Sequence, residues 1–496
     1  MSANLILVLD AGTSGVKCSV FDERCALAAS TRADYGTDFP RPGWSEQSPE
    51  AIWEAACRGV RELLEKVDAT RIACVGLSGT MNGCIPVDGE GRALHPNIIH
   101  SDSRAVEELG EIRAVIPPGD FYRLTGNRLD NHYTLPKILW LRKNRPEVYE
   151  KARWFLNTKD YLYARLTGEA GVTDYSDASL TIAMDIVRGE WARGLLNDLG
   201  LDVERMPRIL CGHDVSGRVS GGTARQTGLI EGTPVAVGGG DGACAARGSG
   251  LHEPGSAYCC MGSSSWVSQL TNAPVLDEKA RVFNYLDMDG HSCHCCGTIQ
   301  CGGDALNWAV KNLLDMSIPE AERLAGSIQP GAEGVFFLPT LMGERTPYWD
   351  PNTRGVLWGF TLYHTRAHIA RAVYEGIAFA LNGCADVMRE CGLPVKSLML
   401  TGGGAQSRLW PDILASLAGV TTRVHSQPGE GTSLGAAIAA GVGMGMFDYH
   451  EAASFITARS EHLPRVDWQD AYAKVYPIYA DIYARMKPLF DRAAEI

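Results

Sequence analysis

The chain has 496 residues, of which 45% are hydrophobic and 21% charged, and its formal net charge is −12. This length predicts two or more domains. The negative charge argues against a nucleic-acid partner, which requires clustered Lys and Arg. We find no apolar run of the roughly 20 residues that span a bilayer and no basic signal-peptide region at the start. Because the fifteen cysteines are scattered through apolar runs, we expect a reduced, cytoplasmic protein.

The first 80 residues alternate between predicted strands and helices. Residues 5–9 predict a strand, residues 10–15 a turn, and residues 16–21 a second strand. A helix over residues 49–67 precedes a buried strand at 72–77. This alternation predicts an α/β sheet whose ligands lie beyond the carboxyl ends of its strands.

A second unit of the same kind is predicted to begin near residue 252. A strand over 256–260 runs into a turn at 261–265, and a later strand at 398–400 ends in three glycines before a helix from about Ser407. Two glycine turns in similar settings predict two related lobes that face one cleft. We place the boundary in the Gly- and Pro-containing stretch 248–255, which divides the chain into lobes 1–250 and 251–496.

The turn after the first strand has the composition of a phosphate cradle. It contains Asp10, Gly12, Thr13 and Ser14, and Lys17 adds a positive charge nearby. Successive backbone N–H groups of small residues bind phosphate. Asp10 could hold Mg²⁺ through water, because Mg²⁺ keeps much of its hydration shell. A plain β-hairpin turn explains the same residues equally well.

Residues 235–245 place Asp241 after three glycines, between a predicted strand and an Ala-rich helix. The glycine spacing superficially fits a dinucleotide fingerprint, but the acidic residue required about 20 positions further on is missing. The alternatives are a carboxylate that a substrate approaches closely and a helix-capping Asp. The sequence contains no GxxxxGK[ST] motif, which disfavours a P-loop kinase.

Three other patterns are given structural interpretations. Residues 291–296 contain two His and three Cys, but a second ligand pair at zinc spacing is missing, so a buried strand is favoured over a metal site. The Lys and Arg residues within 137–145 indicate a solvated helix face. Aromatic residues recur at helical spacing over 468–490 and predict a packed core helix.

Together the motifs resemble the FGGY family of carbohydrate kinases, within the actin, hexokinase and chaperone ATPase superfamily. Residues 134–141 resemble the family's first signature, and residues 355–360 with 368–375 resemble the second. The resemblance implies an α/β fold of two ribonuclease-H-like, actin-like ATPase lobes around a central cleft. It also implies ATP and Mg²⁺ as cofactors and in-line phosphoryl transfer to a small sugar.

The resemblance implies site residues as well. The N-terminal lobe is expected to bind the sugar and the C-terminal lobe the nucleotide, with Asp241 as general base and with Asp10 and Asp241 holding Mg²⁺ through water. Because a free Asp has a pKa of about 3.9, we expect Asp241 to be ionised at pH 7 without tuning. The implied nucleotide- and phosphate-binding residues are Asp10, Gly12, Thr13, Ser14, Lys17, Gly262, Ser263, Gly303, Gly402, Gly403, Gly404 and Ser407. The implied substrate contacts are Thr80, Met81, Asn82, Asp102, Arg104 and Asp241.

The substrate itself is less well defined by the resemblance. Xylulose kinases of the family carry Gly-Gln-Met-His-Gly where residues 79–83 read Gly-Thr-Met-Asn-Gly, and an Asn where Gly242 stands. Polar positions of this kind decide which hydroxyl groups a pocket accepts. A ketose such as xylulose is the first expectation, and gluconate or another polyol is the alternative. A chaperone-like ATPase and a non-catalytic sugar sensor remain as other classes, and the resemblance allows a homodimer.

Overall fold

Two seven-stranded sheets organise the protein, for which a computed structural model describes residues 4–495. The strands up to residue 250 are β1 (Leu5–Ala11), β2 (Gly15–Phe21), β3 (Leu27–Asp34), β4 (Glu46–Gln47), β5 (Ile72–Gly79), β6 (Ile85–Val87), β7 (Asn97–Ile98), β8 (Trp154–Leu156), β9 (Val172–Asp174), β10 (Met184–Asp185), β11 (Glu190–Trp191), β12 (Arg208–Leu210), β13 (Gly217–Arg218), β14 (Pro234–Val235) and β15 (Gly239–Gly240). The α-helices there are α1 (Pro49–Leu64), α2 (Glu108–Val115), α3 (Pro118–Thr125), α4 (Thr134–Asn144), α5 (Pro146–Lys151), α6 (Thr158–Thr167), α7 (Tyr175–Leu180), α8 (Arg193–Asp198), α9 (Gly221–Thr227) and α10 (Asp241–Gly248).

The second half has fewer and longer elements. Its strands are β16 (Ala257–Met261), β17 (Ser265–Thr271), β18 (Phe283–Leu286), β19 (Cys293–Ile299), β20 (Phe336–Leu338), β21 (Val356–Trp358), β22 (Ser397–Thr401), β23 (Thr421–His425) and β24 (Ala458–His462). Its α-helices are α11 (Gly303–Ala309), α12 (Ile318–Ala325), α13 (Arg366–Glu390), α14 (Trp410–Ala418), α15 (Gly431–Gly443), α16 (Tyr449–Phe455) and α17 (Val466–Ala493).

The first sheet has the strand order β13-β14-β5-β1-β2-β3, with β15 also paired to β5. Strands β1, β2 and β3 form an antiparallel meander, whereas β5 runs parallel to β1. All eight residues of β5 are buried, as expected for a strand covered on both faces. Helix α1 begins at Pro49, and the Ser48 side chain caps it by accepting the N–H of Ala51.

The second sheet repeats this arrangement in the order β18-β19-β17-β16-β22-β23-β24. Strands β16, β17 and β19 are antiparallel, and β22 and β23 run parallel to β16. The predicted pair of lobes with corresponding glycine turns is therefore confirmed. The turn between β16 and β17 corresponds to the turn between β1 and β2.

Helices α10 and α15 cross where the two lobes meet. A Cβ atom built on Gly248 would lie 1.8 Å from the carbonyl oxygen of Gly431, and one on Gly435 would lie 1.8 Å from that of Cys244. Only glycine allows backbones to approach so closely. Helix α15 also packs against β1 and β5 of the first sheet. This crossing joins the middle and end of α10, the helix that begins at Asp241, to the C-terminal half of the chain.

Most of the predicted elements are observed, with shifted ends. The helix predicted over 49–67 is α1, which ends at Leu64, and the helix predicted from Ser407 begins at Trp410. The aromatic stripe lies on α17 and contributes buried residues to the core. Residues 293–299 form the fully buried strand β19, as favoured over a zinc site. Among residues 4–495, no helix combines the length and apolar character needed to cross a membrane.

Candidate active site

Asp10 lies near the carboxyl end of β1, beside Ser78 of the parallel strand β5. Its carboxylate is half-buried and accepts a hydrogen bond of 3.1 Å from the Ser433 hydroxyl at the start of α15. Burial raises the pKa of Asp10 above its ordinary value, and the charge of Lys17 and the Ser433 hydrogen bond oppose that rise. Asp10 therefore lies at the junction of both halves of the chain.

The turn that follows Asp10 exposes its small residues. Thr13 and Ser14 are exposed at the surface, while Gly12 N–H donates to Gly15 and closes the turn. Lys17 was predicted to add charge for a phosphate, but its ammonium donates to the Gly429 carbonyl (2.8 Å) and contacts the Glu430 carboxylate. Lys17 thus links this turn to the loop before α15.

Asp241 is the first residue of α10 and follows the short strand β15, which pairs with the end of β5. The carboxyl is desolvated although part of the residue remains accessible. Desolvation, and then the negative charge of Asp10, raise the pKa of Asp241 to about 7. The expectation that this carboxyl needs no tuning is therefore wrong. Two interacting carboxylates in one desolvated cleft are typical of an active site.

The second glycine turn contacts the start of α11. Gly262 accepts the Gly303 N–H at 2.7 Å, and Ser263 accepts the Gly302 N–H at 2.8 Å. A Cβ atom on Gly303 would lie 2.8 Å from the Gly262 carbonyl oxygen, so this close approach requires glycine. Residues predicted to be on the nucleotide side are thereby brought together.

A cleft of about 1100 Å³ opens beside this turn. Tyr374 and Trp410 form an aromatic wall, with ring centroids 4.9 Å apart. The volume and the mixture of aromatic and glycine surface suit a nucleotide-sized ligand. The predicted residues that line the cleft are Gly262, Ser263, Gly303, Gly403, Gly404 and Ser407.

Two predicted residues at this cleft also have structural roles. Gly402 adopts φ = 80°, the left-handed region that favours glycine. The Ser407 hydroxyl accepts the N–H groups of Leu409 and Trp410, both at 3.1 Å, and donates to Glu322. Ser407 therefore stabilises the start of α14 and also lines the cleft.

The predicted substrate loop follows β5 and reaches the Asp241 turn. Thr80 is buried, and its hydroxyl lies 3.2 Å from that of Thr158. Met81 covers Gly240, because a Cβ atom there would lie 2.5–2.6 Å from the Met81 side chain. Asn82 has φ = 63°, and its side-chain oxygen is buried without a hydrogen-bond partner in the described chain. Asn82 is thus the residue of this loop best placed to bind a polar ligand.

Asp102 and Arg104 do not face the cleft with free polar groups. Arg104 donates to both Asp102 oxygens and to Glu46, and neither the Arg104 nor the Asp102 side chain has exposed surface. The guanidinium also stacks on Trp44 and Trp140. This buried network engages most of the polar groups of both side chains, and their role as substrate contacts stays a prediction.

Lys137 was interpreted from the sequence as part of a solvated helix face, and this interpretation is wrong. Its side chain is fully buried, and its ammonium donates to the carbonyls of Asn82, Ile99 and His132. Burial lowers the pKa of Lys137 to about 7. Lys137 therefore fixes the backbone beneath the substrate loop. Its position within residues 134–141, the signature stretch, was the signal that could have identified it.

His100 is a second residue that sequence reasoning did not assign. Burial, followed by the charge of Lys137, lowers the pKa of His100 to about 4. The imidazole is consequently neutral at pH 7. A neutral ring at this position donates or accepts a hydrogen bond without bringing a charge to the site.

The carboxylates of Asp10 and Asp241, where the two lobes meet, suit a hard divalent cation such as Mg²⁺. Asp10 and Asp241 supply only carboxylate oxygens, which Mg²⁺ prefers. Their pKa values are both raised, and the charge of Asp10 contributes to the rise at Asp241. A divalent cation between them would relieve that repulsion.

Comparisons with known proteins match both halves of the chain. Residues 5–248 match the model of the FGGY family of carbohydrate kinases, N-terminal domain, and residues 257–444 match that of the C-terminal domain. A xylulose kinase of Escherichia coli (strain K12) is 30% identical over 485 residues, which cover 97% of this chain and 99% of that protein. A gluconokinase of Bacillus subtilis (strain 168) is 27% identical over 503 residues, covering 99% and 98% of the two chains.

Solved structures extend the likeness to three dimensions. The crystal structure of a xyloylose kinase from Brucella ovis superposes with a TM-score of 0.92 at 30% identity, covering 98% of this chain and 100% of that one. The two-lobed α/β architecture predicted from the sequence is that of the actin-like ATPases, and the expected enzyme class, a sugar kinase, is confirmed. The chain belongs to the FGGY family of carbohydrate kinases.

Proposed function

We propose that this kinase transfers the terminal phosphoryl group of ATP to a hydroxyl group of a small ketose such as xylulose, with Asp241 as the general base. The observation that carries the proposal is the raised pKa of Asp241 near a second carboxyl, Asp10. Burial, and then the negative charge of Asp10, raise the pKa of Asp241 to about 7. A general base is most effective when its pKa lies near the working pH.

Asp241 would accept the proton of the attacking hydroxyl group. At pH 7 a carboxyl with a pKa of about 7 is about half ionised, and it is a stronger base than a free Asp. As a positioned base it would contribute roughly 10²–10⁴-fold to the rate. Asp10 and Asp241 would hold Mg²⁺ through water, and the ion, when bound, would supply neutralising charge to the phosphates.

The remaining residues would bind and orient the two substrates. The C-terminal cleft would hold the nucleotide, with Tyr374 and Trp410 against its flat base and glycine turns near its phosphates. The N-terminal turn after Asp10 would face the terminal phosphate. Closing of the lobes would exclude water, which competes with the sugar as acceptor.

The sugar would lie against the loop that contains Met81 and Asn82. Asn82 offers an unpartnered amide oxygen, which suits a hydroxyl donor. The xylulose kinase relatives at about 30% identity favour a ketose. The gluconokinase relative at 27% identity supports gluconate or another polyol as the second candidate.

A panel assay tests the proposal. ADP release would be measured with xylulose, ribulose, gluconate, glycerol and no acceptor, at a fixed concentration of ATP and Mg²⁺. We expect xylulose to give the highest kcat/KM and the no-acceptor reaction to be negligible. Highest turnover with gluconate would support the second candidate. Equal ADP release with and without every acceptor would contradict the kinase proposal and favour an ATPase.

A further inference from the structure

A buried ionic cluster lies beneath the Asp241 turn and outside the cleft. Lys159 and Asp160 lie in the first turn of α6. Asp174 is the N-cap of α7, and Asp177 lies in the first turn of that helix. The Lys159 ammonium contacts the Asp160 carboxylate and lies 2.9 Å from an oxygen of Asp174 and 3.3 Å from one of Asp177. None of the four side chains is more than 2% exposed. Burying four ionisable groups together is costly unless each has a specific partner.

Ser176 connects this cluster to the turn before Asp241. Its hydroxyl donates to Asp174 and accepts the backbone N–H of Gly240 at 2.9 Å. The side chain is fully buried, so no water could replace it without rearrangement. Because Gly240 directly precedes Asp241, this hydrogen bond fixes the peptide from which the carboxyl projects.

The same cluster supports the substrate loop. A Cβ atom on Gly79 would lie 3.0 Å from the backbone nitrogen of Lys159, so the end of β5 rests directly on the first turn of α6. In that turn the Thr158 hydroxyl lies 3.2 Å from the Thr80 hydroxyl. The loop after β5 and the turn before Asp241 are therefore both supported by residues in or next to this buried cluster.

The carboxyl groups of the cluster differ in their contacts. Asp174 contacts the Lys159 ammonium and accepts hydrogen bonds from the Ser176 N–H and hydroxyl and from the Asp177 N–H. By contrast, the Asp177 oxygens make no hydrogen bond of good geometry in the described residues, and the ion-pair contact of Asp177 is with the Lys159 ammonium at 3.3 Å. Burial raises the pKa of Asp177 well above its ordinary value. Asp174 is thus the more extensively hydrogen-bonded of the two carboxyls, and it is the one that holds Ser176.

We propose that Ser176, anchored by Asp174 and Lys159, is a positioning residue that fixes the Gly240 peptide and thereby aims the Asp241 carboxyl at the accepting hydroxyl group. This inference rests on the proposed role of Asp241 as the base. Ser176 touches neither substrate in this scheme; it acts only through the Gly240 N–H. Its loss should therefore lower kcat and leave the affinity for ATP unchanged.

Ser176→Ala tests the proposal, with Ser179→Ala as the matched control. Ser179 is an equally buried hydroxyl of α7, but it bonds to the Ser176 carbonyl (2.9 Å) and the Leu286 N–H (3.1 Å) instead of the Asp241 turn. For Ser176→Ala we expect kcat to fall about 10- to 100-fold, since one buried N–H loses its partner. The KM for ATP should stay within about twofold.

The control decides whether the loss is specific. Ser179→Ala should lower the thermal midpoint by a similar amount while keeping kcat within about twofold, because it removes a buried hydrogen bond of the same kind. Wild-type kcat in Ser176→Ala would overturn the proposal. An equal loss of kcat in both variants would also overturn it, because general loosening of α7 would then explain the effect.

A second pair of variants tests the cluster if Ser176→Ala fails to fold. Asp177→Asn keeps the shape of a side chain that makes no hydrogen bond to the Ser176 side chain, and it should keep kcat within about twofold. Asp174→Asn removes the carboxylate that accepts the Ser176 N–H and hydroxyl, and it should lower kcat at least about tenfold. Equal kcat values in the two variants would overturn the proposal. Full turnover in Asp241→Asn would instead refute the base assignment, which separates the two failures.

Discussion

Gly248→Ala is expected to separate helices α10 and α15 and to impair catalysis at a distance. The added methyl carbon would lie 1.8 Å from the Gly431 carbonyl oxygen and 2.9 Å from the Gly435 nitrogen. Ordinary contact begins near 3.4 Å, so the helices must move apart by about 1.6 Å. Backbone atoms on both sides leave no flexible side chain to absorb the strain.

The cost follows from this geometry. Overpacking of this kind typically destabilises by about 1–3 kcal/mol, and the better helix propensity of Ala offsets only about 0.5–1 kcal/mol of it. A net loss of about 2.5 kcal/mol or less leaves most domains folded. Asp241 begins the same helix, and a displacement of about 1 Å at a reacting group costs about 100-fold in rate. We therefore expect kcat to fall at least about tenfold in a folded protein.

The assay compares steady-state kcat with the midpoint of chemical denaturation. Gly110→Ala serves as the control, because Gly110 lies in α2 and nothing is within 4 Å of a Cβ atom there. This control should be active and slightly more stable than the wild type. Wild-type kcat and stability in Gly248→Ala would refute the reasoning, since the close crossing of α10 and α15 could not then exist.

Two further predictions concern buried ion pairs. Burial opposes ionisation of Asp287, but the charges of Arg247 and His294 outweigh this effect and hold the pKa of Asp287 well below its ordinary value. The stability that ionised Asp287 gives the folded protein should be present above about pH 4 and lost as the pH falls further. Asp287→Asn should cost about 3–5 kcal/mol in urea unfolding at pH 7 and flatten the acid dependence, whereas an unchanged pH profile would contradict the pairing. Arg104→Lys should cost about 1.5–3 kcal/mol, because a lysine cannot reproduce the forked hydrogen bonds to Asp102. Its KM for the sugar should change less than about twofold, and a large rise in KM would restore Arg104 as a substrate contact.

The sequence predicted the parts of the site that depend on local backbone. Gly262 and Gly403 come shortly after strands β16 and β22, where small residues commonly form ligand-binding turns, and both line the nucleotide-sized cleft. The two lobes were also predictable, because the strand and turn pattern occurs twice along the chain. Asp241 was recognisable by its glycine setting and by the family motifs.

Other features depend on contacts between distant segments and had no local signal. Lys137 has the helical spacing of a solvated residue, yet the substrate loop and residues 99 and 132 surround its ammonium. Asp102 and Arg104 look like free polar groups in the sequence, but they neutralise each other. The raised pKa of Asp241 arises from burial and then from the charge of Asp10, more than 200 residues earlier in the chain. Charge and burial at these positions are consequences of the tertiary fold.

The most direct measurement of the proposed mechanism is sugar-dependent ADP formation by Asp241→Asn, together with calorimetric titration of ATP. The substitution keeps the shape of the side chain and removes its capacity to accept the proton of a hydroxyl group. We expect turnover to fall at least about 100-fold while ATP binds with near wild-type affinity at the separate C-terminal cleft. Near wild-type turnover would show that another group activates the sugar, and the assignment of Asp241 as the base would have to be abandoned.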